Sequence, residues 1–162
     1  MQKLKKNSWQ LCHALLPTKA TLSNRWMDID HLCPFYQSEI EDQNHLLFWH
    51  CPISQECWTL VVAHNWIDSS FVSSQQYIIL QRLSSTRNAT SATKIQRVVV
   101  LLWSIWKIRN SMVFCNETPI SGSTLIRAKK VSAEWCIRHK SHNHFIHKTQ
   151  TNQQSIARRL IG

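Results

Sequence analysis

Glycine occurs only twice in this 162-residue chain, at Gly122 and Gly162. Tight antiparallel hairpins need residues that take positive φ cheaply, above all Gly or Asn-Gly pairs, and that punctuation is missing. Helices need far less of it. Hydrophobic residues make up 43% of the chain, which is enough for a core. The length suits one domain, or one compact piece with a tail. The expectation is a mostly α-helical protein.

Hydrophobic spacing and capping residues place the helices. Ser8 can cap a helix through Leu16, stopped by Pro17, and Thr18 can cap a second to about Trp26. Residues 27–41 show no helical period and read as a loop. A short helix follows from Asp42 to about Trp49. Ser54 can cap another to about Asn65, with Cys57, Trp58, Val61 and Val62 facing inward. Residues 66–74 read as a linker, residues 75–83 as a helix, and the Ser/Thr/Asn-rich run Ser84–Thr93 as an internal boundary. The strongest helix runs from Thr93 to about Phe114. Ile95, Val98, Val99, Leu102, Trp106 and Val113 follow its period, and Val100, Leu101, Ile105 and Ile108 make it apolar almost all round. Ser123 can cap a last helix to about His139, and the polar, unpatterned residues 140–162 read as a disordered tail. Trp26, Trp58, Trp103, Trp106 and Trp135 fall on apolar faces and read as core. His139, His142, His144 and His147 read as solvated.

Charge divides the chain. Residues 1–69 hold five Lys/Arg against seven Asp/Glu, and residues 70–162 hold fourteen against two, so the net +10 resides in the second part. Such asymmetry points to a polyanionic partner, most simply RNA or DNA bound through phosphates without sequence preference. A merely solubilising surface is the alternative. Lys94, Arg97, Lys107, Arg109, Arg127, Lys129 and Lys130 form the best basic patch. No export signal follows Lys3, Lys5 and Lys6, because Trp9–Leu16 is short and interrupted by Gln10 and His13. Val98–Trp106 falls well short of the roughly twenty apolar residues that span a bilayer. The expectation is an intracellular protein, nuclear or cytoplasmic, not secreted and not membrane-bound. Its six Cys would then be reduced.

Cys33, His45 and Cys51 are the residues with chemistry to offer. Zinc favours thiolate and imidazole donors in a tetrahedron, often with a C-x2-C turn followed by donors on or near a helix. His45 and Cys51 flank the end of the short expected helix, and Cys33 lies on the loop before it. The position that would complete C-x2-C is Tyr36, a poor zinc ligand. The spacing alone leaves a zinc site and scattered core cysteines both open.

The segment Trp9-Gln10-Leu11-Cys12-His13-Ala14-Leu15-Leu16-Pro17-Thr18, with Leu22 and Arg25, is followed by Cys33-Pro34-Phe35-Tyr36, Glu41, His45-Leu46-Leu47, Cys51-Pro52 and Trp58. In order and spacing this resembles the W…LPT…L…R and C-P-x-C…E…H-L-x…C-P…W pattern of the plant reverse-transcriptase zinc-binding domain, over about residues 7–62. Leu102-Trp103-Ser104-Ile105-Trp106-Lys107-Ile108-Arg109-Asn110-Ser111-Met112-Val113-Phe114 resembles a helix found downstream of that domain in plant non-LTR retrotransposon chains. The resemblance implies a zinc-binding module at residues 7–66, a basic helical extension at 75–139 and the tail at 140–162. It carries the ligands over as Cys33, His45 and Cys51, and the fourth falls on Tyr36, where the pattern breaks. His31, and less readily His50, could substitute. The implied function is non-enzymatic nucleic-acid binding in support of retroelement replication, with no small-molecule substrate. Neither a polymerase nor an RNase H core is expected within these residues. Two rivals are an inert degenerate fragment and a zinc-dependent hydrolase using Glu41 or Asp42 as base. Two-metal catalysis needs converging carboxylates, and beyond residue 69 only Glu117 and Glu134 exist.

Overall fold

The computed structural model describes residues 2–25, 27–48, 50–69 and 89–138. It is helical, as the glycine count implied: α1 (Gln2–Cys12), α2 (Lys19–Ser23), α3 (Gln43–Leu47), α4 (Pro52–Ala63), α5 (Ala89–Cys115) and α6, residues 121–138. Among the described residues the only β pairing is an isolated antiparallel bridge between Leu32 and Ile40. The expected helix at 75–83, the tail at 140–162, Trp26 and Trp49 lie outside the described residues.

Helix ends show how the chain manages without glycine. Ala14 takes φ 53° and Asn65 φ 51°. At the first, the Ala14 and Leu15 N–H groups donate to Leu11 and Gln10 carbonyls at 3.2 and 2.8 Å. At the second, Asn65 and Trp66 donate to Val62 and Val61 at 2.8 and 2.9 Å. Both are Schellman closures, which satisfy orphan carbonyls through a left-handed residue after the helix. The αL cap at Ala14 ends α1 at Cys12, short of the expected stop at Pro17. The same helix begins at Gln2 rather than Ser8, because Lys3-Leu4-Lys5-Lys6 favours helix and extends it upstream.

Thr18 caps as expected, and Asp42, where a short helix was expected to begin, proves to be its cap. The Thr18 hydroxyl accepts the Thr21 N–H at 3.3 Å at the start of α2, and the Asp42 carboxylate accepts the His45 N–H at 2.7 Å at the start of α3. Ser54 does not cap. Its hydroxyl donates to the Leu46 carbonyl, while Cys51 is the N-cap of α4 and Pro52 opens the helix.

The core is shared by both parts of the chain. Leu11, Leu16, Leu46, Leu47, Phe48, Cys57, Trp58 and Val61 pack with Val98, Leu101, Leu102, Ile105 and Trp106 of α5 and with Leu125 of α6 in one buried cluster. The Trp58 indole N–H donates to the Leu47 carbonyl at 3.0 Å, so the largest core side chain is also polar-satisfied. Val100 and Ala128 bury a smaller seam between α5 and α6, flanked by Trp66, Trp103, Val131 and Trp135. Ser121 opens α6 and donates its hydroxyl to Glu56 of α4 at 2.8 Å. The stretch Thr93–Cys115 is long and apolar enough to cross a membrane by length and composition, yet half of its most apolar window is buried inside the fold. That half is the face packed on the core.

A buried ion pair joins the two parts. Arg109 of α5 meets Glu41 with Nε to Oε1 at 2.7 Å and Nη2 to Oε2 at 2.8 Å. The side chains are 2% and 0% exposed. The Lys19 backbone N–H adds a third bond to Glu41 Oε2 at 2.7 Å, and the guanidinium lies 5.1 Å from the Trp106 ring centroid. Arg109 therefore leaves the basic surface patch in which the sequence placed it. A guanidinium only 2% exposed and turned onto a buried carboxylate is out of reach of a phosphate at the surface.

Removing one partner of a buried pair strands the other charge and costs about 3–5 kcal/mol. Arg109→Met should lose about that much in urea unfolding, and Glu41→Gln in the Arg109→Met background should recover a large part of it. Additive losses would show that the two side chains do not act as a pair.

Candidate metal centre

The loop before α3 is closed on itself. The Glu41 N–H donates to the His31 carbonyl at 2.8 Å, and the Cys33 N–H to the Glu39 carbonyl at 2.8 Å. Between them Cys33-Pro34-Phe35-Tyr36 turns back, with the Gln37 N–H on the Cys33 carbonyl at 2.8 Å and Gln37 at φ 53°. This turn presents the Cys33 sulfur inward. Asp42, capping α3, sets the register that buries His45 in the helix, and the α4 cap position brings in Cys51. The Cys51 N–H donates to the His45 carbonyl at 3.1 Å and fixes the spacing between the two.

Cys33, His45 and Cys51 are all buried, and one ligand atom from each lies within 4.8 Å of the others. His45 Nδ1 bonds to Glu39 Oε2 at 2.9 Å, whereas His45 Nε2 is buried without a hydrogen-bond partner among the described residues. A carboxylate on one ring nitrogen fixes the tautomer that leaves a lone pair on the other. The buried, unpartnered Nε2 is the donor a metal-ligating imidazole would use.

The sulfurs are prepared in the same sense. The Cys51 thiol is pushed down to about 6, chiefly by its hydrogen bond with Cys33 and then by the Ser54 and Ile53 N–H groups of the α4 N-terminus, with burial opposing. Cys33 is pushed up, first by the same bond to Cys51 and then by burial, although it accepts the Phe35 and Tyr36 N–H groups. Of the two, Cys51 is the readier thiolate. Amide donors on both sulfurs and a carboxylate behind the imidazole are the support that zinc ligands require. The residues fit zinc. Bound there, the ion would cross-link the loop, α3 and the start of α4. Cys57, near α4's middle, is different: burial pushes its thiol up to about 11 and it packs in the core.

Other expected residues fall elsewhere. Tyr36 is 55% exposed, and His31 and His50 are exposed; none joins the group of three donors. Glu41 cannot act as a base beside the metal, because Arg109 holds both its oxygens. Asp42 is engaged as the α3 cap. On the basic surface, Lys107, Arg127, Lys129 and Lys130 are exposed. Lys94 sits 3.6 Å from Asp68, and Arg97, half-buried, donates to the Trp66 carbonyl at 2.9 Å. Glu39 is the functional residue that sequence reasoning missed. It lies six positions before His45, and only closure of the loop brings the two together.

Fold and site together define a helical domain with a two-thiol, one-imidazole metal centre. Residues 1–58 match the family model described as zinc-binding in reverse transcriptase. Over those residues the chain carries a reverse-transcriptase zinc-binding domain. No curated protein and no solved structure matches the chain. The matched segment ends at Trp58, inside α4, so α5 and α6 lie beyond it while completing its core.

One competition titration checks the site in both directions. Zinc on the wild-type chain should be stripped by a mild chelator, and Tyr36→Cys should hold it against the same chelator. Glu39→Ala should loosen zinc about 10–100-fold, the usual cost of losing such a support. Unchanged affinity in both variants would mean that zinc binds elsewhere.

Proposed function

We propose that this chain is a non-enzymatic nucleic-acid-binding module derived from a plant non-LTR retrotransposon reverse transcriptase. The zinc-binding domain serves as scaffold, and cations of α5 and α6 serve as contact surface. The observation that carries the reading is the pairing of that domain with a cationic second part. Fourteen Lys/Arg against two Asp/Glu lie beyond residue 69, and Lys107, Arg127, Lys129 and Lys130 are exposed. Exposed Lys and Arg side chains on two helices suit phosphate contact, which carries affinity without sequence readout. Such a module works inside the cell, where RNA and DNA are.

A second reading, an inert degenerate copy, draws on the substitution of Tyr36 for the expected thiolate. Anisotropy titrations with RNA and DNA oligonucleotides over a salt series separate the two. Log affinity should fall with log salt at a slope of about 0.9 per duplex phosphate contacted. Replacing Lys107, Arg127, Lys129 and Lys130 by Gln should flatten it. An unchanged slope would remove the patch, and binding no tighter than that of an unrelated protein of equal charge would favour the degenerate copy.

A further inference from the structure

The metal centre offers three donors where a closed structural zinc site has four. The turn that should supply the fourth is intact. The Tyr36 and Gln37 N–H groups still close on the Cys33 carbonyl, at 3.4 and 2.8 Å. Only the donor is missing, because the Tyr36 side chain is 55% exposed and outside the group. Among the described residues nothing else has moved in to replace it. His31 and His50 are exposed, Cys57 is occupied in the core, and Glu39 is spent on His45 Nδ1. Tyr36, Gln37, Ser38 and Glu39, which follow Cys33 in the loop, are all exposed.

We infer that the ion held by Cys33, His45 and Cys51 keeps an open coordination position beside Tyr36, which accepts a soft exogenous donor, a thiolate in the first instance. The inference rests on the zinc-binding reading of this site and is independent of nucleic-acid binding. Two sulfurs and an imidazole leave the ion soft enough to prefer sulfur in the fourth place. Small thiols are one source of that donor. A second copy of this chain is another, since Cys12 and Cys115 are exposed free thiols.

Cobalt loaded into the full-length chain reports the coordination directly through its visible and thiolate charge-transfer bands. Adding 2-mercaptoethanol should shift the visible band of the wild type and raise the charge-transfer band about 1.5-fold, as the thiolates go from two to three. Cobalt-loaded Tyr36→Cys should start at that higher intensity and ignore the thiol. If the untreated wild-type spectrum already shows three thiolates at high protein concentration and loses one on dilution, the donor comes from a second copy; Cys12→Ser and Cys115→Ser then show which. A wild-type spectrum unaffected by both thiol and dilution would overturn the open position, and zinc-loaded X-ray absorption with two imidazoles would name a histidine of this chain as the fourth ligand. Failure to take up cobalt at all would overturn the inference at its base, by removing the metal site itself. That outcome is distinct from an inert but loaded centre.

Discussion

A carboxylate with no exposed surface meets a guanidinium in bidentate contact between Glu41 and Arg109, and most of the site's geometry can be traced to that contact. Glu41 works through every group it has. Its carboxylate takes Arg109 from α5 and the Lys19 N–H from α2, its carbonyl accepts the Ala20 N–H at 3.2 Å, and its own N–H closes the metal loop on His31. The next residue, Asp42, caps α3 and so sets the register of His45. Moving Glu41 would displace the loop, two helix starts and the imidazole together. A buried ion pair adds little net stability over an apolar pair of the same shape, but leaving either charge alone is costly. Its effect here is to specify one arrangement of loop and helix.

The metal site is braced by bonds of the chain itself. The ligand atoms of Cys33, His45 and Cys51 lie within 4.8 Å of one another, and Glu39 holds the imidazole through Nδ1 at 2.9 Å. The shared core extends that support beyond the matched zinc-binding segment. Val98, Leu101, Leu102 and Ile105 pack on the residues that flank the site in sequence, Leu46, Leu47 and Trp58. A module of this kind can keep its shape while its metal site loses a ligand, which is the situation at Tyr36.

The sequence showed what depends on residue type and local spacing. Scarce glycine and the apolar period of α5 gave the helical class, Thr18 declared its cap, and Cys33, His45 and Cys51 stood out as donors only once the resemblance was added to their spacing. What it hid depends on closure over distance. Arg109 read as surface because a charged residue in an apolar helix is ordinarily its solvent face. Its partner lies 68 positions away, and no local pattern joins them. Glu39 was invisible for the same reason on a smaller scale. Ser54 looked like a cap by composition, but the Leu46 carbonyl competed for its hydroxyl once α3 and α4 packed. The start of α1 was missed where ordinary helix propensity outran a good capping residue.

The claim at the centre of this account is that the Glu41–Arg109 contact and the shared core, rather than the ion, organise the metal loop. Amide hydrogen exchange on the full chain after exhaustive chelation tests it most directly. The Lys19, Ala20, Cys33 and Glu41 amides, each hydrogen-bonded around Glu41 or across the loop, should stay protected together with the α5 amides from Val98 to Ile105. Free exchange at Lys19, Ala20, Cys33 and Glu41 while α5 remains protected would contradict it, and would make the metal the organiser of the loop.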